Sequence, residues 1–422
     1  MALTLRESFN PRANSIGFLR WLMAFVVIFS HAGPLGGFYG GIDLGTQWSS
    51  EQSFGGVAVA GFFFLSGFLI TKSRQGRSTI FRYFWRRFLR IFPAFWASLV
   101  LTACVLAPLA WRHVHGTFSG FWSAPDAPPL GYITENFFLR LQQRTIAGLG
   151  GTTPLGSRGG FEWNGSASTL IYEFKGYILI GVLGLFGMLG YRKLAAGVFA
   201  FILLMNTMMW GFFGNFTVIE PLMRDLKNVM YLTPFFFGMI FALFDDKVRI
   251  DDRIALAAAG VAFFTYFIAS GWNFYGQFAF LYVLIWCAVR LPLTNWEKYG
   301  DLSYGIYIYA WPLMMLAAYF GLQNKGWLVY HVTIVVACHV LALISWHLLE
   351  KRALALKNWT PGWLAAALRW MNPAIDAVRR RIVAPDFSST HYAKELRHDA
   401  AALERERIRD GFVTHDPSQR TH

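Results

Sequence analysis

Arg20 and His31 bracket one apolar segment, RWLMAFVVIFSH. Ionisable groups inside such a segment are costly and are usually kept for function. Eleven residues of α-helix make three turns plus about 20°, so the two side chains share a face and stand about 16 Å apart along the axis. A histidine at one end of a span suits proton transfer or nucleophilic attack, and an arginine at the other suits an oxyanion. Glu173, in NGSASTLIYEFKGY (164–177), is expected at the depth of His31, where a carboxylate would fix the imidazole tautomer of a general base. At the other end Arg87 and Arg90 form an i, i+3 pair with Arg86 beside them, and clustered guanidiniums bind phosphate oxygens two at a time. These charges describe a phosphate-binding end, a proton-transfer end and a bilayer between them.

The elements that must position these residues are membrane helices. The 422-residue chain is 55% hydrophobic and 15% charged, with a mean hydropathy of +0.38, whereas a soluble chain is nearer a quarter charged. Its 17 Trp and 41 Phe fit a lipid-facing surface with interfacial aromatic belts. The expectation is an all-α integral membrane protein of about ten transmembrane helices, roughly 15–32, 55–71, 88–110, 166–189, 194–213, 228–244, 254–270, 274–290, 303–320 and 327–349. The net charge of +14 sits in blocks between apolar segments, the pattern of cytoplasmic loops and not of a nucleic-acid surface. KSRQGRSTIFRYFWRRFLR (72–90) holds seven basic residues and no acidic one, whereas 34–54 holds no Lys or Arg. The N-terminus is therefore expected in the cytoplasm, and ten spans return the C-terminus there. The domain reading is a cytoplasmic segment 1–14, a transmembrane domain 15–350 and a charged cytoplasmic tail 351–422. The long outer loop, about 112–165, is expected to line or cover a site. Cys104, Cys287 and Cys338 lie inside apolar segments without metal or redox spacing, so free thiols and no metal site are expected. The segment after Asn14 lacks a cleavage site and is read as a span rather than a signal peptide.

Six stretches in order make the chain resemble the acyltransferase-3 family of multi-span membrane acyltransferases, across about residues 14–355. Arg20 and His31 match its R-x10-H signature. GFFFLSGFLI carries Ser66 and Gly67, RRFLRIFPAFW carries the R-x-x-R pair, and NGSASTLIYEFKGY carries Asn164, Glu173 and Tyr177. DLSYGIYIYAWP (301–312) and SWHLLEKRAL (345–354, with Glu350) complete the series. Ser168 stands where the family often has Trp, which alters the outer wall of the site; Ala310 and Arg352 are further departures. The resemblance implies transfer of an acyl group, usually acetyl from acetyl-CoA, to hydroxyls of cell-surface carbohydrate at a bacterial inner membrane. It implies His31 as the catalytic histidine and the arginines as donor-binding. Glu173 would orient His31, Arg20, Arg87 and Arg90 would hold the CoA phosphates, and Ser66, Asn164 and Tyr177 would contact substrate. No permanently bound cofactor is expected; acyl-CoA, a carbohydrate acceptor and the bilayer are the expected partners. The residues leave open whether His31 acts as a base or carries the acyl group. A transporter or flippase for a lipid-linked sugar, with His31 and Glu173 as a proton relay, is the alternative reading.

Overall fold

A computed structural model describes residues 3–75, 80–150, 162–193, 196–197, 199–200 and 226–359. The chain divides into two units. The features below belong to the first, Met1–Gly184 with Leu189–Thr360; of the second, Leu185–Met188 with Pro361–His422, only 185–188 are described.

Nine principal helices lie among the described residues: α1 (Ile16–Gly36), α2 (Phe54–Gln75), α3 (Ile80–Leu101), α4 (Leu170–Leu185), α5 (Leu226–Leu243), α6 (Asp252–Phe267), α7 (Gln277–Arg290), α8 (Ser303–Tyr319) and α9 (Trp327–Ser345). They coincide with nine of the ten expected spans. The fifth, 194–213, lies almost wholly outside the described residues, as does the tail beyond 359. Six helical stretches are long and apolar enough to cross a membrane: Ile16–Gly36, Phe54–Gln75, Ile80–His115, Ser166–Leu185, Trp272–Arg290 and Trp327–Asn358. The other three helices are shorter: Met230–Leu243 is the apolar part of α5, and α6 and α8 run 16 and 17 residues. The chain is thus a multi-pass membrane protein.

Local sequence explains the boundaries. Gly37 adopts a left-handed conformation (φ 74°) and returns its N–H to the Gly33 carbonyl, ending α1. Pro34 sits in the last turn, and the chain then doubles back across the helix end. This is possible because Gly33 has no side chain to collide with the Ile42 carbonyl. Leu44 N–H bonds the Ser30 carbonyl at 3.2 Å, sealing the loop onto α1. α2 and α5 meet backbone to backbone: Gly67 lies on the Phe235 carbonyl and Gly238 on that of Phe64. Small residues allow this approach where lipid offers no hydrophobic force between helices. α8 is buried around nearly its whole circumference, the expected place for a helix apolar on all sides. Its tyrosines bond across helices, Tyr304 to the Ile91 carbonyl (2.8 Å), Tyr307 to the Ser166 carbonyl (3.0 Å) and Tyr309 to Ser345 Oγ (3.1 Å).

The bundle has two polar faces. On one, strand Leu3–Thr4 pairs with Arg249–Ile250, and Asp245 receives both Arg6 and Lys72. Burial alone would raise the Asp245 carboxyl, but those two cations hold it below the usual range. Arg192 pairs with Asp246 at 2.9 Å on the same face. On the other face Glu51 accepts the N–H groups of Gly271 (2.6 Å) and Asn273 (2.9 Å), and Gly150 N–H reaches Tyr319 Oη at 2.8 Å. The N-terminal segment and the basic stretch 72–90, both expected inside, thus meet at Asp245, whereas 34–54, expected outside, meets the turn at 271–273.

Candidate active site

His31 occupies the penultimate turns of α1, beneath the returning loop. Its Nδ1 lies 2.7 Å from Asp43 Oδ1. Ser30 Oγ donates to the same oxygen at 3.1 Å and accepts from Gly55 N–H at 3.0 Å, so α1, the loop and the start of α2 are tied at one point. The imidazole packs edge to face on Trp311, with ring centres 4.8 Å apart. Trp311 is held by its Nε1–H to the Glu162 carbonyl (2.8 Å) and by the bare backbone of Gly165 beneath its ring. With Nδ1–H donating to the carboxylate, Nε2 carries the lone pair that accepts a proton or attacks a carbonyl.

The structure does not bring Glu173 to His31. Glu173 accepts from Ser66 Oγ at 2.5 Å and from Tyr177 Oη, and Ser66 Oγ and Tyr177 Oη are themselves 3.1 Å apart. Ser66, Glu173 and Tyr177 are therefore brought together, away from the imidazole, because the face of α4 that carries Glu173 and Tyr177 meets α2 at Ser66, about 16 Å along that helix from Gly55, which bonds Ser30 beside His31. Asn164 is spent on the fold: its Nδ2 donates to the Ile308 carbonyl (3.0 Å) and its Oδ1 accepts from Ala167 N–H (3.2 Å).

At the opposite end, Arg20 and Arg90 converge on Asp301, Arg20 at 3.0 Å and Arg90 closer still. Ser303 donates to the second carboxylate oxygen through Oγ (2.5 Å) and its backbone N–H (3.2 Å). Burial opposes ionisation of Asp301, but the two guanidiniums outweigh it and hold the carboxyl well below the ordinary aspartate range. Glu350, buried in a π-helical turn at Trp346–Glu350, accepts from Ser345 Oγ at 2.9 Å. Arg87 differs from its neighbours. Its guanidinium lies 5.9 Å from the ring centres of both Tyr83 and Tyr177, no ion pair joins it to a carboxylate among the described residues, and its Nε has no hydrogen-bond partner there.

Asp43, Trp311 and Asp301 were not singled out by sequence. A signal existed for Asp43: it and Glu51 are the only acids in the cation-free stretch 34–54, so neither has a local countercharge.

A multi-pass helical bundle with a carboxylate-held histidine at one end and a cluster of guanidiniums at the other has the parts of a transmembrane group-transfer enzyme. Comparison with known proteins makes this specific. Residues 14–349 match the acyltransferase domain model of the acyltransferase-3 family, and the chain belongs to that family. It is 25% identical over 362 residues, 81% of this chain and 96% of the relative, to an O-acetyl transferase of Shigella phage Sf6. It is also 25% identical over 366 residues, 83% and 96% of the two chains, to Nodulation protein 10 of Rhizobium leguminosarum bv. viciae. Acyltransferase MdmB of Streptomyces mycarofaciens shares 28% identity over 99 residues, 24% of this chain and 25% of its own. No solved structure matches the chain. The protein is a membrane acyltransferase.

Proposed function

We propose that this enzyme moves an acetyl group from cytoplasmic acetyl-CoA to a hydroxyl of an extracytoplasmic polysaccharide or lipid-linked sugar, at a bacterial inner membrane. The observation that carries this reading is the His31–Asp43 pair at one end of α1 with the arginine cluster at the other. Asp43 holds Nδ1–H, so Nε2 accepts the proton of the acceptor hydroxyl as its oxygen attacks the thioester carbonyl. The C–O bond forms, the C–S bond breaks, and His31 returns the proton to the departing sulfur, giving ester and free thiol. Asp43 takes the orienting role expected of Glu173.

On the donor side Arg87 is the first candidate for the CoA phosphates, because Arg20 and Arg90 already share Asp301. Those two would be recruited as the donor competes with that carboxylate. Ser66, Glu173 and Tyr177 stand beside Arg87 through the Tyr177 ring and would border the route of the pantetheine arm. The name of the phage relative supports O-acetyl transfer. Radiolabelled acetyl-CoA supplied to membranes should leave label in ester linkage on carbohydrate, and His31→Ala should abolish it. Label retained by a well-expressed His31→Ala protein would overturn the mechanism, and transport of a lipid-linked sugar without labelling would favour a carrier.

A further inference from the structure

A second feature borders the histidine end of the bundle. A cavity of about 710 Å³ opens there, lined by Arg140, Gln142, Arg144, Ser168, Tyr172 and Lys175 among others. Three cations and no acid line it. Their backbone is pinned rather than loose. Asn136, fully buried, accepts the N–H groups of Gln142 (2.7 Å) and Gln143 (3.2 Å) and donates to the Gln143 carbonyl (2.7 Å). Gln143 turns inward to the carbonyls of Pro128 and Thr145, so Arg140, Gln142 and Arg144 fall at alternate, exposed positions. Glu162 stands 3.5 Å from Arg144, which keeps 62% of its side chain exposed; Arg140 has no ion pair among the described residues. Lys175 lies 4.8 Å from the Tyr172 ring on the facing wall.

The cavity is joined to the histidine by a short chain of contacts. Trp163 N–H bonds the Arg144 carbonyl (3.0 Å), the adjacent Glu162 carbonyl holds Trp311, and Trp311 packs on His31. Ser168, whose Oγ is turned to the Gly165 carbonyl (2.7 Å), leaves one wall open. Basic residues are scarce on outward loops; Arg140 and Arg144 lie on the loop expected outside and Lys175 joins them from α4, so three cations around one opening call for a ligand.

We propose that this cavity binds an oxyanion of the acceptor, so that the enzyme takes an anionic glycan or glycan carrier, with the charge held at Arg140, Arg144 and Lys175 while a hydroxyl reaches His31. The proposal rests on the acyltransferase reading and adds the acceptor class to it. The shared chemistry is a phosphate-type or carboxylate oxyanion, which guanidiniums bind two oxygens at a time.

The test is binding of two probes, inorganic diphosphate and trigalacturonate, to purified protein in phosphatidylcholine nanodiscs, followed calorimetrically. At least one should bind, more weakly as salt rises. The R140Q/R144Q variant should lose tenfold or more in affinity, and Ser168→Trp should block binding by filling the wall. The probe that responds identifies a phosphate-bearing or a uronate-bearing acceptor. His31→Ala should bind the probe as the parent does, so binding is read independently of acyl transfer, and acetyl-CoA turnover by the parent reports separately on the enzyme reading. Binding of neither probe at millimolar concentration overturns the proposal. So does binding unchanged in both R140Q/R144Q and Ser168→Trp, which would place the anion at the donor arginines. Loss of both probes when phosphatidylglycerol is added overturns it too, by making the cavity a lipid headgroup site.

Discussion

Replacing Asp43 tests the geometry of the candidate site most directly. The carboxylate is the hydrogen-bond partner of His31 Nδ1, and the two side chains are 32% and 19% exposed. A charge-assisted hydrogen bond contributes about 1.5–3 kcal/mol. Partial exposure favours the lower figure, and about 1.4 kcal/mol is a factor of ten. Asp43→Ala, which frees the ring to reorient, should therefore lower kcat about tenfold. Asp43→Asn should do more harm. Its amide can donate to Nδ1 and so select the tautomer with hydrogen on Nε2, which removes the base; general-base catalysis is commonly about 10²–10⁴ in rate. The assay is initial-rate acetyl transfer in membranes with acetyl-CoA varied. kcat should fall in the order parent, Asp43→Ala, Asp43→Asn, with the donor KM little changed. Glu173→Gln, distant from the ring, should leave the His31–Asp43 bond intact. Parental kcat in both Asp43 variants, with a hundredfold loss in Glu173→Gln, would refute the assignment.

Arg87→Lys keeps a charge but loses the planar fork between Tyr83 and Tyr177, so it should raise the KM for acetyl-CoA more than that for acceptor; the opposite split would remove Arg87 from the donor side. Asp301→Asn leaves Arg20 and Arg90 without their shared partner and should cost about 3–5 kcal/mol of stability, read as a lower thermal midpoint in detergent. Because the Asp301 carboxyl is depressed in the folded protein, its contribution is complete above the ordinary aspartate range and is lost as pH falls through the lower folded value. The parent should therefore lose more thermal stability on acidification below pH ~4 than Asp301→Asn, and parallel acid profiles would count against the ion cluster. Gly67→Val drives a side chain into the Phe235 carbonyl and should destabilise the α2–α5 pair by at least about 1–3 kcal/mol, seen as reduced folded yield. For sidedness, a cysteine at exposed Ser50, in a background lacking Cys104, Cys287 and Cys338, should react with an impermeant thiol reagent on intact cells, whereas one at exposed Ala13 should react only after lysis; the reverse would place His31 at the cytoplasmic face.

Much of the architecture was legible in the chain itself. Helical segments are recorded locally, as runs of apolar residues ended by glycine, proline and charge, and nine of them reappear as helices. The placing of Arg20 and His31 on one face of one helix at opposite ends follows from a periodicity that no partner can change. Family membership was carried by six short motifs in order. The pairing of the expected site residues was another matter. Glu173 does not lie at the depth of His31: on α2 the His31 end is marked by Gly55, whereas Glu173 bonds Ser66, eleven residues or about 16 Å further along that helix. Asp43 meets His31 because Gly33 and Gly37 let the chain fold back over the end of α1, a path set by packing and backbone shape. The expectation of an arginine cluster came from residue type and the i, i+3 spacing of Arg87 and Arg90. That Arg20 and Arg90 are satisfied by Asp301 depends on a residue more than two hundred positions away, and Arg87 packs on Tyr177 of another helix as well as on Tyr83 of its own. Local chemistry and helix period therefore determined which groups are present and at which end. Only the tertiary structure decided which charge meets which, because a pairwise distance across a bundle depends on how several helices rotate and tilt together.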